Sequence, residues 1–230
     1  GWNDPFNNAV IPAINLKCIG KTNKKTTYSK PNILQVTNDL FPYSRYPWCL
    51  DEYNKIYIAD QLKFAYSLTE DLQRKLIVRL HANQDSYGVD QKKYWDDGNQ
   101  SITVDRGFSD IQKLINKSRI VVSTYNATLF LETLSLNIPT IMFWNEEQNP
   151  LNFRAQPYFK ILKDVGIFHE TPESAAKHIS SIWNDVAIWW ESKNVQNSKN
   201  IFTEQYSRIA KNPLTFIKQI IFDSNNENAC

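Results

Sequence analysis

Arg119-Ile-Val-Val-Ser123-Thr-Tyr-Asn-Ala-Thr128-Leu-Phe-Leu-Glu132-Thr-Leu-Ser-Leu136-Asn-Ile-Pro139-Thr-Ile-Met-Phe143 is the stretch that decides the fold. Residues 119–123 and 139–143 are short apolar runs of the kind that a strand buried on both faces requires. Between them a polar turn leads into a helix over 128–136. The same alternation extends towards the N-terminus. Strands are predicted at 33–37, 76–80 and 102–104, a helix from near Asp51 to before Lys75, and shorter helices at 91–95 and 111–115. Strands that alternate with helices in this way predict a doubly wound α/β domain on a parallel sheet.

After residue 150 the pattern is mostly helical. Ala175, Ala176, Ile179, Ile182, Trp183, Val186 and Trp190 form an apolar stripe, and Thr171-Pro-Glu-Ser174 before it reads as a helix start with proline in the first turn. Trp183, Trp189 and Trp190 are expected in the core, because tryptophans at helical spacing pack more often than they stack on sugars. Residues 1–32 hold Pro5, Pro12, Gly20 and Pro31 without a sustained period and read as a lead-in or linker. The division expected is 1–32 linker, 33–223 one ligand-binding domain with extra C-terminal helices, and 224–230 a frayed tail.

Composition removes several classes of function. In 230 residues, 26 Lys plus Arg against 24 Asp plus Glu leave a net charge of +2, which gives no field suited to bulk nucleic acid or an anionic membrane. Cys18, Cys49 and Cys230 are odd in number and far apart, which suits a reducing compartment, so a cytoplasmic place is expected. The single methionine, Met142, lies deep in the chain, so the sequence is expected to be part of a longer protein. Six glycines, at 1, 20, 88, 98, 107 and 166, write neither GxGxxG nor GxxxxGK[ST], which disfavours a P-loop NTPase and a glycine-fingerprint dinucleotide enzyme. His81, His169 and His178 form no zinc pattern with one another or with the cysteines, and there is no GxSxG elbow.

Ligands of an open parallel sheet bind beyond the C-terminal ends of its strands. Arg79-Leu-His81 follows the second strand and places an arginine fork and a switchable imidazole on one side of the chain. Ser123-Thr124-Tyr-Asn126-Ala-Thr128 follows the fourth strand and opens a helix, so its hydroxyls and the helix N–H groups suit an anion without any glycine. Glu132 lies one helical turn past Thr128 and is placed to accept the two hydroxyls of a ribose. The plainer alternatives stand beside these readings. One is a helix cap from Ser123, Asn126 or Thr128; the other is an Arg79 paired on the surface and a His81 bonded to backbone.

Taken together, Ser118 to Trp144, the opening Gly1-Trp2, the blocks 155–159 and 166–174, and Trp183-Asn-Asp-Val186 with Trp189-Trp190 resemble bacterial transferases encoded in O-antigen and other surface-polysaccharide gene clusters. The similarity covers most of the chain. Such proteins look like GT-B glycosyltransferases, two Rossmann-like halves across a cleft, with the nucleotide-sugar donor held by the C-terminal half. The order of strand, Ser/Thr turn, helix, Glu and Asn-x-Pro-Thr also resembles CDP-glycerol glycerophosphotransferases and sialyl- or Kdo-type transferases. The resemblance implies donor-phosphate contacts from Ser123, Thr124, Asn126 and Thr128, a ribose contact from Glu132, and a basic residue and a histidine at Arg79 and His81. Ala82 stands where related folds carry a proline after that histidine.

The function so implied is that of a donor-binding domain that serves surface-polysaccharide assembly, with a nucleotide-sugar as substrate and a glycan or lipid-linked acceptor. A CDP-alcohol phosphotransferase-like domain and a non-catalytic nucleotide-binding module are the alternatives. No cofactor, no obligatory metal and no nucleic acid are expected. The catalytic base is expected on a missing N-terminal half, which would also carry any peripheral attachment to the inner membrane. Residues 1–230 by themselves are accordingly expected to bind donor without transferring it.

Overall fold

A computed structural model describes residues 28–40, 50–82, 90–96, 101–147 and 149–208, together with positions 214, 215, 218 and 222. Most of the expected lead-in, the expected tail at 224–230, the three cysteines, and the apolar positions Phe216, Ile217, Ile220 and Ile221 lie outside these residues.

Six parallel strands form one sheet in the order β3-β2-β1-β4-β5-β6, so the doubly wound fold read from the sequence is the one observed. The strands are β1 (Asn32–Val36), β2 (Leu76–Arg79), β3 (Thr103–Asp105), β4 (Ser118–Ser123), β5 (Thr140–Phe143) and β6 (Phe168–His169). The helices whose bounds fall within the described residues are α1 (Leu50–Ser67), α2 (Glu70–Gln73), α3 (Lys93–Asp96), α4 (Ile111–Lys117), α5 (Thr128–Ser135), α6 (Gln156–Asp164), α7 (Pro172–Ile182), α8 (Val186–Glu191) and α9 (Lys193–Tyr206), with a 3₁₀ turn over Trp183–Asp185. The chain builds β1 to β3 in one direction and β4 to β6 in the other. The winding therefore reverses between β1 and β4, and this is the topological switch point at which such sheets bind ligands.

Alternation along the strands sends successive side chains to opposite faces. On one face Ile33, Val78, Ile120 and Phe143 pack under Phe64 and Leu68 and under Ala175 and Ile179 of α7, with Phe64 stacked on Phe143 at 5.0 Å. On the other face Leu34, Val36 and Val121 meet Ile115 of α4 and Leu129 of α5. A third cluster, of Phe130, Trp144, Phe159, Trp190 and Phe202, joins β5 and β6 to the C-terminal helices. Burial of each such ring contributes about 1.5–3 kcal/mol. Trp183 and Trp190 are buried and Trp189 half-buried, which makes the tryptophan cluster core.

Two elements differ from the sequence reading. The long helix expected from Asp51 to before Lys75 is broken: Leu68 and Thr69 leave the helix, and α2 restarts at Glu70. Gln73 stabilises the break, because its side-chain amide donates to the Leu68 carbonyl at 2.8 Å. The strand β6 was not expected. With two residues it has no periodicity to read, and pairing with β5 defines it.

His169 of β6 is part of a buried cluster. Its Nε2 lies 3.1 Å from the Gly166 carbonyl, which only accepts, so Nε2 carries the proton and Nδ1 accepts from the Ser174 hydroxyl at 2.8 Å. The His178 ring lies 5.3 Å away. Gly166 has φ +78°, a backbone conformation that favours glycine, and a Cβ there would fall 2.6 Å from His178 Nε2 and displace that ring. Burial first, then the neighbouring His178, pushes the His169 imidazole down from 6.5 to about 4.

The unfolded chain thus binds a proton that the folded chain resists. This contribution to stability is complete above about pH 6.5 and is lost as pH falls towards about 4, at about 1.4 kcal/mol per unit, or about 3 kcal/mol in all. Urea unfolding followed across that window should show the midpoint falling with acid. His169→Gln should flatten most of the slope, and an unchanged slope would remove His169 from the account.

Candidate functional site at the switch point

The register brings four strand ends to one level. Val36 pairs with Arg79 on one side and with Ser123 on the other, and Arg79 pairs with Asp105. Arg79 and the turn that begins at Ser123 therefore stand at one edge of the sheet, on either side of the end of β1.

Arg79 is braced by the loop after β3. Its Nη2 donates to the carbonyls of Gly107 at 3.2 Å and Ser109 at 3.4 Å, while its buried Nε has no hydrogen-bond partner among the described residues. Asp105 holds the same loop from within, accepting from the Gly107 N–H at 2.8 Å and from the Ser109 hydroxyl. Gly107 has φ +87°, and a Cβ there would lie 2.6 Å from the Leu80 carbonyl oxygen and 2.7 Å from the Ala82 nitrogen. Glycine thus lets this loop close onto the segment that carries His81.

The turn after β4 divides its side chains into two groups. Thr124 is buried and its hydroxyl donates to the Val36 carbonyl at 3.0 Å. The same oxygen lies 2.7 Å from the Tyr57 hydroxyl, and since its proton is already directed at a carbonyl, Tyr57 is the donor in that pair. Tyr57 in turn accepts from the Asn38 N–H at 2.6 Å. Ser123 is also buried, and its hydroxyl reaches the Tyr125 carbonyl at 3.4 Å. Asn126 and Thr128 are exposed.

α5 starts without a side-chain cap. Its N-cap residue is Ala127 in extended conformation, whereas α4 is capped by Asp110, α7 by Thr171 and α9 by Ser192. Capping by Ser123, Asn126 or Thr128, the plainer alternative in the sequence, is therefore not what this turn does. Half-buried Glu132 follows on α5. Burial raises the Tyr125 phenol, with the Arg79 charge opposing and Glu132 adding to the shift, so Tyr125 lies within the fields of both groups. Arg79, Tyr125 and Glu132 form one charged and polar neighbourhood.

His81 stands just beyond Arg79, with its Nδ1 3.4 Å from Oδ2 of Asp39. Asp39, Tyr57, Gly107 and Tyr125 are the residues here that the sequence reading did not single out. Asp39 lies just past the end of β1, and nothing in its own spacing marks it as the partner of His81. The other three depend on which distant segments the fold brings together.

Among the described residues no group of three or more His, Cys, Asp or Glu is placed to hold a metal ion, and no helix is long and apolar enough to cross a membrane. A groove of about 670 Å³ lies elsewhere, lined by Leu151, Phe153, Phe159, Lys160 and Phe168 among others. Its two lysines are already paired, Lys160 with Asp164 and Lys163 with Glu170, so the switch point is the better candidate for an anionic ligand.

A family model described as LIC12162 family transferase matches residues 1–221. No curated protein matches the chain.

The Thr124 network is open to a double-mutant cycle. Thr124→Val leaves the Tyr57 hydroxyl and the Val36 carbonyl short of a partner and should cost about 1–3 kcal/mol in urea unfolding. Tyr57→Phe should cost a similar amount, and the double variant clearly less than the sum. Strict additivity would show that the two hydroxyls act independently.

Proposed function

The chain belongs to the LIC12162 family of transferases, and from that premise we propose that its α/β domain binds the phosphate-bearing donor of the transfer at the switch point. The donor in this reading is a nucleotide-sugar and the acceptor a glycan or lipid-linked glycan. The process is assembly of a bacterial surface polysaccharide in the cytoplasm, with the acceptor presented by a facing domain of a GT-B arrangement.

The observation that carries the reading is the uncapped start of α5 at the edge where β1, β2 and β4 end level. Free N–H groups and the positive end of the helix dipole favour an anion there. Asn126 and Thr128 add side-chain donors from the exposed side of the turn. Arg79, held against the β3–α4 loop, supplies positive charge, and His81 stands beside it. Ser123 and Thr124 contribute by shaping the turn, since their side chains face the protein. Glu132 accepts the ribose hydroxyls.

The chemistry needs little beyond this from the donor half. When the bond between the sugar and the phosphate breaks, negative charge grows on the departing phosphate oxygen, and donors already aimed at that position stabilise it without reorganisation. Helix dipole and cationic side chains meet that demand, so no metal is obligatory in this reading. A facing domain supplies the acceptor in line with the breaking bond, which lowers the entropic cost of bringing the two together.

Calorimetric titration with UDP, GDP, CMP, CDP and dTDP tests the proposal. Binding of at least one nucleotide is expected, and Glu132→Ala should weaken it by about 1.5–3 kcal/mol while leaving the thermal unfolding transition in place. Preference for CDP with transfer of an alcohol phosphate would turn the reading to a CDP-alcohol phosphotransferase. Binding without transfer by the complete protein would leave a nucleotide-binding module, and no binding by any nucleotide would end the proposal.

A further inference from the structure

Asp39 is a carboxylate almost wholly removed from water, 5% exposed, just beyond the end of β1 at the switch point. Its Oδ2 lies 3.4 Å from His81 Nδ1, and its Oδ1 is buried with no hydrogen-bond partner among the described residues. A buried carboxylate needs a positive partner to offset lost hydration. Among the described residues the group at ion-pair distance from it is the His81 imidazole, which can donate Nδ1–H to the carboxylate when neutral and carries a charge only when protonated.

His81 has the opposite environment, its side chain 37% exposed at the same edge. Because Nδ1 is the nitrogen turned to Asp39, the ring directs Nε2 away from the buried carboxylate. The backbone that carries the ring is held by the close approach of Gly107, whose position leaves no room for a Cβ beside Ala82. Other charged groups around this segment are already engaged. Arg79 is bonded to the carbonyls of the β3–α4 loop, Asp105 to Gly107 and Ser109, and Arg106 to Asp90 at 3.1 Å. Asp39 is therefore the described anion directed at His81.

We propose that Asp39 is the positioning residue for His81: it fixes the ring with Nδ1–H towards its own Oδ2 and presents Nε2 to the phosphate of a bound donor. The inference rests on the donor site proposed above and adds a residue and a proton to it. An imidazole between a buried carboxylate and a phosphate is favoured as the cation, so donor binding draws one proton from water onto His81, and release of the phosphate returns it. A buried carboxylate that orients a histidine at its other nitrogen is a recurrent device for fixing tautomer and direction. Here it serves a ligand contact.

Nucleotide-sugars are the appropriate probes, because their phosphodiesters keep a constant charge through the neutral range, unlike terminal phosphates. Calorimetry of UDP-glucose, GDP-mannose and CMP-sialic acid, in two buffers of unlike ionisation heat, reads both affinity and proton uptake. For the sugar that binds, the wild-type chain should take up a proton. Asp39→Asn and His81→Asn should each weaken binding about tenfold and abolish most of the uptake. In the His81→Asn background, Asp39→Asn should have little further effect, because Asp39 acts through that ring.

A full tenfold loss from Asp39→Asn in that background, or undiminished uptake in Asp39→Asn alone, would show that Asp39 serves the fold only. Long-range ¹H–¹⁵N spectra of the wild-type protein test the pairing without any variant, and a neutral His81 ring with its proton on Nε2 would reject it. If no sugar nucleotide binds the wild-type chain, the donor reading falls by itself. The tautomer then decides the Asp39–His81 pairing alone.

Discussion

The arrangement depends on one hydroxyl at the point where the sheet changes direction. Thr124 leaves the end of β4 and donates to the last carbonyl of β1, and Tyr57 of α1 closes the same contact from the other side. Parallel neighbours that wind away from each other open a crevice between their ends. Something must satisfy the backbone groups exposed there, because a buried carbonyl or N–H without a partner costs about 1–3 kcal/mol. Thr124, Tyr57 and Asn38 do this in a chain of hydrogen bonds, each donor directed at an acceptor. The crevice floor is thereby closed on the protein side.

This network explains why hydroxyl-bearing residues adjacent in sequence have different roles. Ser123 and Thr124 are buried and point inward, whereas Asn126 and Thr128 lie on the exposed side of the same turn. The inward pair ties the turn to the protein, and α5 begins after it at Thr128, with Ala127 at the N-cap and no side-chain cap. On the other side of β1 the equivalent task falls to Gly107 and Asp105, which hold a loop against the end of β2 and lock Arg79 in place. Two different local solutions thus frame one edge.

Much of the fold was legible because periodicity carries it. Five of the strands follow short apolar or alternating runs, and α7 starts where the chemistry of Thr171-Pro-Glu-Ser174 places it. The two failures have physical causes: β6 is too short to show a pattern, and the apolar spacing of α1 continues through a break that Gln73 secures by a contact spacing cannot reveal. Of the candidate site, what was legible is which residues share an edge of the sheet. Arg79, His81 and the Ser123 turn could be found because strand ends are where ligands bind. Asp39 was not, because its significance lies in a pairing with His81 that only the β1–β2 register creates. The same limit applies to Tyr125, which the field of Arg79 reaches from β2 across the end of β1.

An anion site usually relies on glycine so that the backbone can approach the ligand. Here the turn between β4 and α5 holds no glycine, and Gly107, the one glycine at this edge among the described residues, serves loop packing. Without the freedom of glycine, the turn must be held by side chains instead, and a buried threonine bonded to the neighbouring strand is a stiff way of doing so. Stiffness has an electrostatic consequence. Donors that do not have to reorient when charge arrives lose none of their interaction to reorganisation, so a turn locked from below favours an anion above it more than a mobile loop with the same groups would. In the donor site proposed above, the buried hydroxyls of Ser123 and Thr124 would act through the backbone amides whose direction they set.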